Sequence, residues 1–361
     1  MEEKMVQLLA PNGELQDDGE TWDMPFFEKM YRQMLLARTF DRKAIRLQRQ
    51  GRIGTYAPFE GQEAAQIGSA AALRDDDWMF PTYRDHAAMI AFGDDLVQQF
   101  IYWMGRVEGG RTTRQRHILP PSVPIATQML HAVGVAWAAK LKREQTVAIV
   151  YFGDGATSEG DFHEALNFAG VFQVPVIFFC QNNGYAISVP FSRQSAAKTV
   201  AERGQAYRIP SVRVDGNDVF AVKQVSEQAV RRAAGGGGPT LIEAVTFRYG
   251  AHTTADDAAK YRAQEELTAR WREKDPLKRV QLLLAHHGKW DETRERAWQQ
   301  EATARVEEAL KLAESAPKPD PAAMFEHVTA EKSWLLYEQQ QRVMRAHREA
   351  SNKNDWGVAF V

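Results

Sequence analysis

The chain of 361 residues contains one cysteine, Cys180. A single thiol excludes a disulfide framework and fits a reducing compartment. Cys180 ends an apolar run, so a buried, inert thiol is expected rather than a nucleophile. An excess of one charge is also missing. The 45 Lys and Arg residues nearly balance 47 Asp and Glu, for a net charge of −2, which gives no electrostatic case for nucleic acid or an anionic membrane surface. No apolar run approaches the length of a membrane span, and Met1-Glu2-Glu3-Lys4 has no secretory pattern. A soluble, cytoplasmic protein is the expectation. Internal repeats and low-complexity tracts are absent. No Gly-x-Gly-x-x-Gly turn follows a strand, which argues against a nicotinamide-dependent oxidoreductase.

What is present centres on Gly153-Asp154-Gly155, followed after residues 156–181 by Asn182-Asn183. An apolar, β-branched run over 147–152 leads into the first motif, and a second over 174–179 leads into the asparagines. Between them, from Ser158-Glu159-Gly160-Asp161 onward, the period is helical. Both motifs therefore fall at the carboxyl edge of a parallel sheet, where open α/β sheets bind ligands. Gly153 and Gly155 let the backbone turn tightly and bring N–H groups close to an anion. Asp154 offers a carboxylate and Asn183 an amide oxygen, hard donors suited to Mg²⁺ with diphosphate oxygens and water completing the shell.

The rest of the chain frames this centre. Residues 1–23 are polar and read as an extended N-terminal arm. Helical periodicity covers 24–50, ending at Gly51, and 62–73. A short strand over 78–81 opens into Thr82-Tyr83-Arg84-Asp85, where an arginine fork suits phosphate oxygens. Residues 105–122 are basic and glycine-rich, a loop without the interleaved aromatics of a nucleic-acid site. The helix over 125–142 is apolar nearly all round and should be buried. A helix is expected over 195–207, a strand over 211–216, then a helix over 219–234 capped by Asp218. Gly235 to Gly238 follow a helix and precede a strand, the wrong order for a phosphate cradle. A strand over 240–247 ends in the polar loop 248–257. Four charged helices follow, over 264–274, 276–287, 291–314 and 330–349. The expected organisation is an arm (1–23), an α/β domain with a parallel sheet flanked by helices (24–262) and a helical C-terminal extension (263–361).

With these motifs in order, the chain resembles the α subunit of the thiamine diphosphate-dependent decarboxylating component of 2-oxo acid dehydrogenase complexes. The likeness runs over roughly 24–325, through Tyr56-Ala57-Pro58 with Gly61-Gln62-Glu63-Ala64, Tyr83-Arg84-Asp85, and Gln181 through Ser188. It continues through Val214-Asp215-Gly216-Asn217-Asp218 and Arg248-Tyr249-Gly250-Ala251-His252. The resemblance implies a thiamine diphosphate-binding fold in which Asp154, Asn183 and the carbonyl of Tyr185 hold Mg²⁺. Tyr83 and Arg84 would hold the diphosphate, aided by the backbone of Gly155 and Ala156. Val123 and Ile125 would meet the aminopyrimidine, with Ile125 as the wedge that keeps the cofactor bent. His252 would stand beside the diphosphate and the reacting centre as the catalytic histidine, on the expectation that it titrates near neutrality.

The same resemblance implies partners. Decarboxylation leaves an electron pair on an acyl carbon, and a thiazolium ring supplies the sink. The carboxylate that activates that ring comes, in the family, from a separate β subunit, so a heterotetramer of two α and two β chains is implied. The acyl group would pass to a lipoyl group of the acyltransferase core. Two departures stand out: Glu108 occupies the region where relatives often carry a second loop histidine, with His117 later in that loop, and Thr253 stands at the position of a phosphorylatable serine. Regulation by phosphorylation is therefore not expected. For substrate, residues 49–58 and 119–121 resemble bacterial pyruvate dehydrogenases, while residues 124–128 and 183–188 resemble branched-chain 2-oxo acid enzymes. Pyruvate is the expectation, with the branched-chain acids and acetoin as alternatives.

Overall fold

The structure is a computed structural model describing residues 5–16, 23–111, 117–326 and 328–352. The chain divides into two compact units, Met1–Glu314 and Ser315–Val361. The strands are β1 (Trp78–Phe80), β2 (His117–Ile118), β3 (Ala148–Gly153), β4 (Val176–Asn182), the hairpin β5 (Tyr185–Ala186) and β6 (Val189–Pro190), β7 (Ser211–Asp215) and β8 (Thr240–Val245). The helices up to the hairpin are α1 (Met24–Arg49), α2 (Glu63–Ala70), α3 (His86–Phe92), α4 (Leu96–Trp103), α5 (Thr127–Leu141) and α6 (Gly160–Phe172). After it come α7 (Phe191–Gln194), α8 (Glu202–Gln205), α9 (Val219–Ala234), α10 (Gln264–Arg272), α11 (Pro276–His286), α12 (Glu292–Ser315) and α13 (Trp334–Asn352).

Six strands form one parallel sheet in the order β2-β1-β3-β4-β8-β7. The central strands are apolar because helices cover both faces. In β3 Ala148 through Phe152 are buried, as are Val176 through Gln181 in β4. From β1 the chain leaves toward β2 and returns to β3 on the other side, so the switch point lies between the carboxyl ends of β1 and β3. Open α/β sheets bind ligands in that crevice.

Local chemistry sets the helix ends. The Asp23 carboxylate accepts from Phe26 N–H, Pro25 stands in the first turn, and Arg46 and Arg49 complement the dipole of the last turn of α1. Asp218 caps α9 through Phe220 and Ala221 N–H.

The structure corrects several expectations. Residues 5–16 are not a free arm. Val6 bridges to Val214 on the edge strand β7, Leu8 and Leu9 are buried, and both of their N–H groups donate to Asp218 Oδ2 at 2.6 Å. This segment covers a strand edge that would otherwise present open N–H and C=O groups. The remainder of the expected arm, 1–4 and 17–22, lies outside the described residues. The segment 105–122 contains β2 at the sheet edge. The helix expected over 195–207 is reduced to the single turn α8 (Glu202–Gln205), with α7 ending before it at Gln194. Side-chain oxygens compete for its backbone there, Thr199 Oγ1 accepting from Glu202 N–H, and a Cβ on Gly204 would lie 2.0 Å from Ser211 Oγ.

Helix α5 is buried on one face only. Met129, Ala132, Val133, Ala136 and Ala139 pack inward, whereas Leu130 and Leu141 are exposed. The C-terminal boundary also differs from residue 262. Helices α10 to α12 belong to the first unit, where Arg38 of α1 forks between Glu63 and Asp275 and Tyr31 donates to Glu295.

Candidate active site

The carboxyl ends of β1, β3, β4 and β8 converge on a cavity of about 350 Å³. Tyr83 and Arg84 follow β1, Asp154, Gly155 and Ala156 follow β3, Asn183, Tyr185 and Ile187 follow β4, and Arg248 and His252 follow β8. All line it, with Ile125 from the segment before α5. Val123 is not on the wall and is 59% exposed.

Asp154 is fully buried. Its Oδ2 accepts from Gln194 Nε2 at 2.9 Å, while Oδ1 has no hydrogen-bond partner. Burial pushes its carboxyl up to about 6, against the opposing pull of nearby N–H donors and Arg248. Gly155 is required for a different reason than a tight turn: a Cβ there would lie 2.8 Å from Ala186 Cβ, so glycine lets the β5–β6 hairpin close over the Asp154 turn. The two asparagines divide their work. Asn182 locks the turn, donating to Glu243 and accepting from Gly184 N–H, whereas Asn183 faces the cavity.

On the opposite wall Arg84 donates to Pro58 O, and to His252 O at 2.8 Å. It also reaches His252 Nδ1 at 3.2 Å. Arginine can only donate, so Nδ1 accepts and the ring proton sits on Nε2. Burial, then the charges of Arg84 and Arg248, pushes the His252 imidazole down to about 3 despite the favourable pull of Asp256. This corrects the expectation of a near-neutral titration: in the free chain His252 is a neutral Nε2–H donor. Its loop is pinned by Asp256, which accepts from His252 N–H and Tyr261 O–H.

Three features were not assigned from the sequence. Arg248 is 1% exposed. Its Nε donates to Gly250 O, but Nη2 has no partner. Burial, then the repulsion of Arg84 and Arg262, pushes its guanidinium down to about 9. Its position at the end of β8, on the same edge as Asp154, was the available signal. Gln194, which orients Asp154, carried none, because it returns to the site only through the hairpin. Nor did Gln181, at the end of β4, reveal its partners. The alternatives for the missing loop histidine stand elsewhere: Glu108 accepts from Arg106, and His117 stacks on Trp78 with ring centroids 4.5 Å apart, at the amino end of β1.

The cavity thus holds a buried carboxylate oxygen and a buried guanidinium nitrogen, each unpartnered and of opposite charge. Unpaired buried charge is strongly unfavourable. A ligand carrying both a cation and an anion, as a metal diphosphate does, satisfies both. Among the described residues no three His, Cys, Asp or Glu side chains gather as a metal-ligand set. One carboxylate, one amide oxygen and one carbonyl match instead a Mg²⁺ that shares phosphate and water oxygens.

Fold and crevice together define an α/β protein that receives a charged ligand at the switch point of its sheet. Comparison with known proteins narrows this class. The dehydrogenase E1 component family matches residues 31–322. The chain is 42% identical over 352 residues to the 3-methyl-2-oxobutanoate dehydrogenase subunit alpha of Mycobacterium tuberculosis, covering 94% of this chain and 93% of the relative. It is 41% identical over 340 residues to the pyruvate dehydrogenase E1 component subunit alpha of Staphylococcus aureus, covering 93% and 91%. The chain belongs to the dehydrogenase E1 component family. It is an α-type subunit of a 2-oxo acid dehydrogenase, from a family that depends on thiamine diphosphate.

Proposed function

We propose that this chain is the α subunit of an acetyl-transferring pyruvate dehydrogenase, binding Mg²⁺ and the diphosphate of thiamine diphosphate and acting with a β subunit in a heterotetramer. The observation that carries the cofactor assignment is the pair of buried, unpartnered atoms, Asp154 Oδ1 and Arg248 Nη2. Asp154, Asn183 and the Tyr185 carbonyl are the Mg²⁺ ligands. Tyr83, Arg84, Arg248 and the N–H groups of Gly155 and Ala156 receive the diphosphate. The backbone at Val123 and Ile125 meets the aminopyrimidine, with the Ile125 side chain as the apolar wedge. When bound, the cofactor supplies the electron sink for decarboxylation of a 2-oxo acid.

This chain's residues position and screen that chemistry. The Arg84 fork fixes the tautomer of His252 and leaves its Nε2–H as a hydrogen-bond donor to the substrate's oxygens. Ile125 and Ile187, 46% and 48% exposed, stand at the open mouth. With Val189 they form an apolar rim that a β subunit would cover, completing the site and excluding water. The acyl product then passes to a lipoyl group of an acyltransferase core. A branched-chain 2-oxo acid is the second reading, favoured by the 42% identity to a 3-methyl-2-oxobutanoate dehydrogenase chain.

Calorimetric titration of thiamine diphosphate into the full chain, with and without Mg²⁺, tests the site. Binding is expected to require Mg²⁺ and to be lost in Asp154→Asn, whose melting temperature should not fall because an uncompensated charge has been removed. Equal affinity in the variant would remove Asp154 from the metal site.

A further inference from the structure

Beside the Tyr83–Arg84 turn, with Gln62, Asp85 and Gln181 forming part of the cavity wall, lies a buried chain of glutamines whose hydrogen-bond directions are dictated from both ends. Gln66 Oε1 accepts from Ala87 and Ala88 N–H at the start of α3. Backbone N–H groups can only donate, so the Gln66 amide has one orientation and its Nε2 must point away. That Nε2 donates to Arg84 O at 3.0 Å and to Gln181 Oε1 at 3.1 Å. Gln62 Nε2 donates to the same Gln181 oxygen at 3.0 Å. With its oxygen so engaged, Gln181 presents Nε2 to Asp85 Oδ1. Asp85 in turn uses Oδ2 to accept from Thr82 N–H and Thr82 Oγ1, each at 2.6 Å. Gln62, Gln66, Gln181 and Asp85 are all less than 5% exposed, so the network is held by protein partners.

We propose that Gln181 is a positioning residue: beside the direct Gln66–Arg84 bond, its amide at the end of β4 links the glutamines of α2 to the Asp85 carboxylate and holds the Thr82–Asp85 turn in the shape that presents Tyr83 and Arg84. The inference rests on the cofactor reading for the ligand it serves, but its structural half does not. Gln181 is the hub because it alone bridges the donors of α2 and the carboxylate of Asp85. A glutamate at this place would face Asp85 with an acceptor. Asp85 reversed to an amide would then supply the missing donor. The network therefore predicts a specific rescue, which a general loss of packing does not.

Two readouts on the full chain test this. In the ligand-free protein, amide hydrogen exchange at Thr82 should accelerate in Gln181→Glu and in Gln181→Met, which keeps the chain length without the amide. Exchange should slow again in the double variant Asp85→Asn/Gln181→Glu. By calorimetry, the Kd for thiamine diphosphate with Mg²⁺ should weaken about 10- to 100-fold in either single variant, the range typical of residues that orient a ligand's partners. It should return to within a few-fold of wild type in the double variant. If Gln181→Glu does not fold, Gln181→Met carries both measurements. A folded Gln181→Met chain with unchanged Thr82 exchange overturns the inference, as does wild-type affinity in that variant. Wild-type protein that binds no cofactor overturns the cofactor reading instead, and the exchange arm then decides the role of Gln181 alone.

Discussion

Residues in the crevice are held against their solution preferences. Asp154 is raised and Arg248 lowered by the same cause, loss of water, and neither finds a full set of protein partners. Hydrogen bonds to Asp154 from Gln194 and backbone groups oppose the shift but do not cancel it, the pattern expected where desolvation outweighs dipoles. His252 shows the same balance in a group this chain keeps neutral. Its folded pKa, about 3, lies below the unfolded value of about 6.5. The ring therefore contributes stability that is present above about pH 6.5 and is lost as the pH falls from there toward 3. In a nitrogen-15 NMR titration of the ligand-free chain, the His252 ring should stay neutral, with its proton on Nε2, down to below pH 5. A midpoint between 6 and 7 would show that neither burial nor the charges of Arg84 and Arg248 govern it.

Elements place these residues through contacts that cross long sequence distances. The Asp218 carboxylate caps α9 and also collects Leu8 and Leu9 N–H, 209 and more residues away. Asp218→Ala should cost ~3 kcal/mol, from about 1 for the lost cap and about 1 for each of two buried N–H groups left without an acceptor. Denaturant melts should show that loss, with fast hydrogen exchange at Leu8 and Leu9; a loss no larger than the cap alone would place the N-terminal segment's anchorage elsewhere. The cap was legible in the sequence and the second use was not, because nothing local marks a distant backbone as the partner. The same division holds throughout. Helix α1, strands β3, β4 and β8, and helix α9 follow from periodicity and caps. The edge strand β2 is two residues long, too short for a period, and the close approach of Gly204 to Ser211 on β7 joins separate elements, which no local pattern marks. At the site, Asp154, Asn183, Tyr83, Arg84 and His252 were legible as motif residues converging on one edge. The roles of Gln194, Arg248 and Gln181 depend on which way side chains turn after the fold closes.

The whole molecule presents an open half-site. Under the proposed function its sheet supplies donors for a cation and a diphosphate, and exposed Ile125, Ile187 and Val189 line the same cavity. The proposed β subunit would cover these apolar side chains, since exposed apolar patches mark interaction surfaces or ligand grooves. Among the described residues no helix is long and apolar enough to cross a membrane. The proposed sharing of the substrate pocket with a β subunit would explain why 41% and 42% identity to chains named for different acids do not separate them. Discrimination in an apolar pocket is worth only about 1–3 kcal/mol per methylene group. The most direct measurement is decarboxylation with an artificial electron acceptor, by the chain alone and by the chain co-expressed with its β subunit, using pyruvate, 3-methyl-2-oxobutanoate and acetoin in parallel. The account predicts negligible turnover by the chain alone and Mg²⁺- and thiamine diphosphate-dependent turnover by the complex, with pyruvate preferred. Full activity without a partner, or none with it on any of the three substrates, would contradict it.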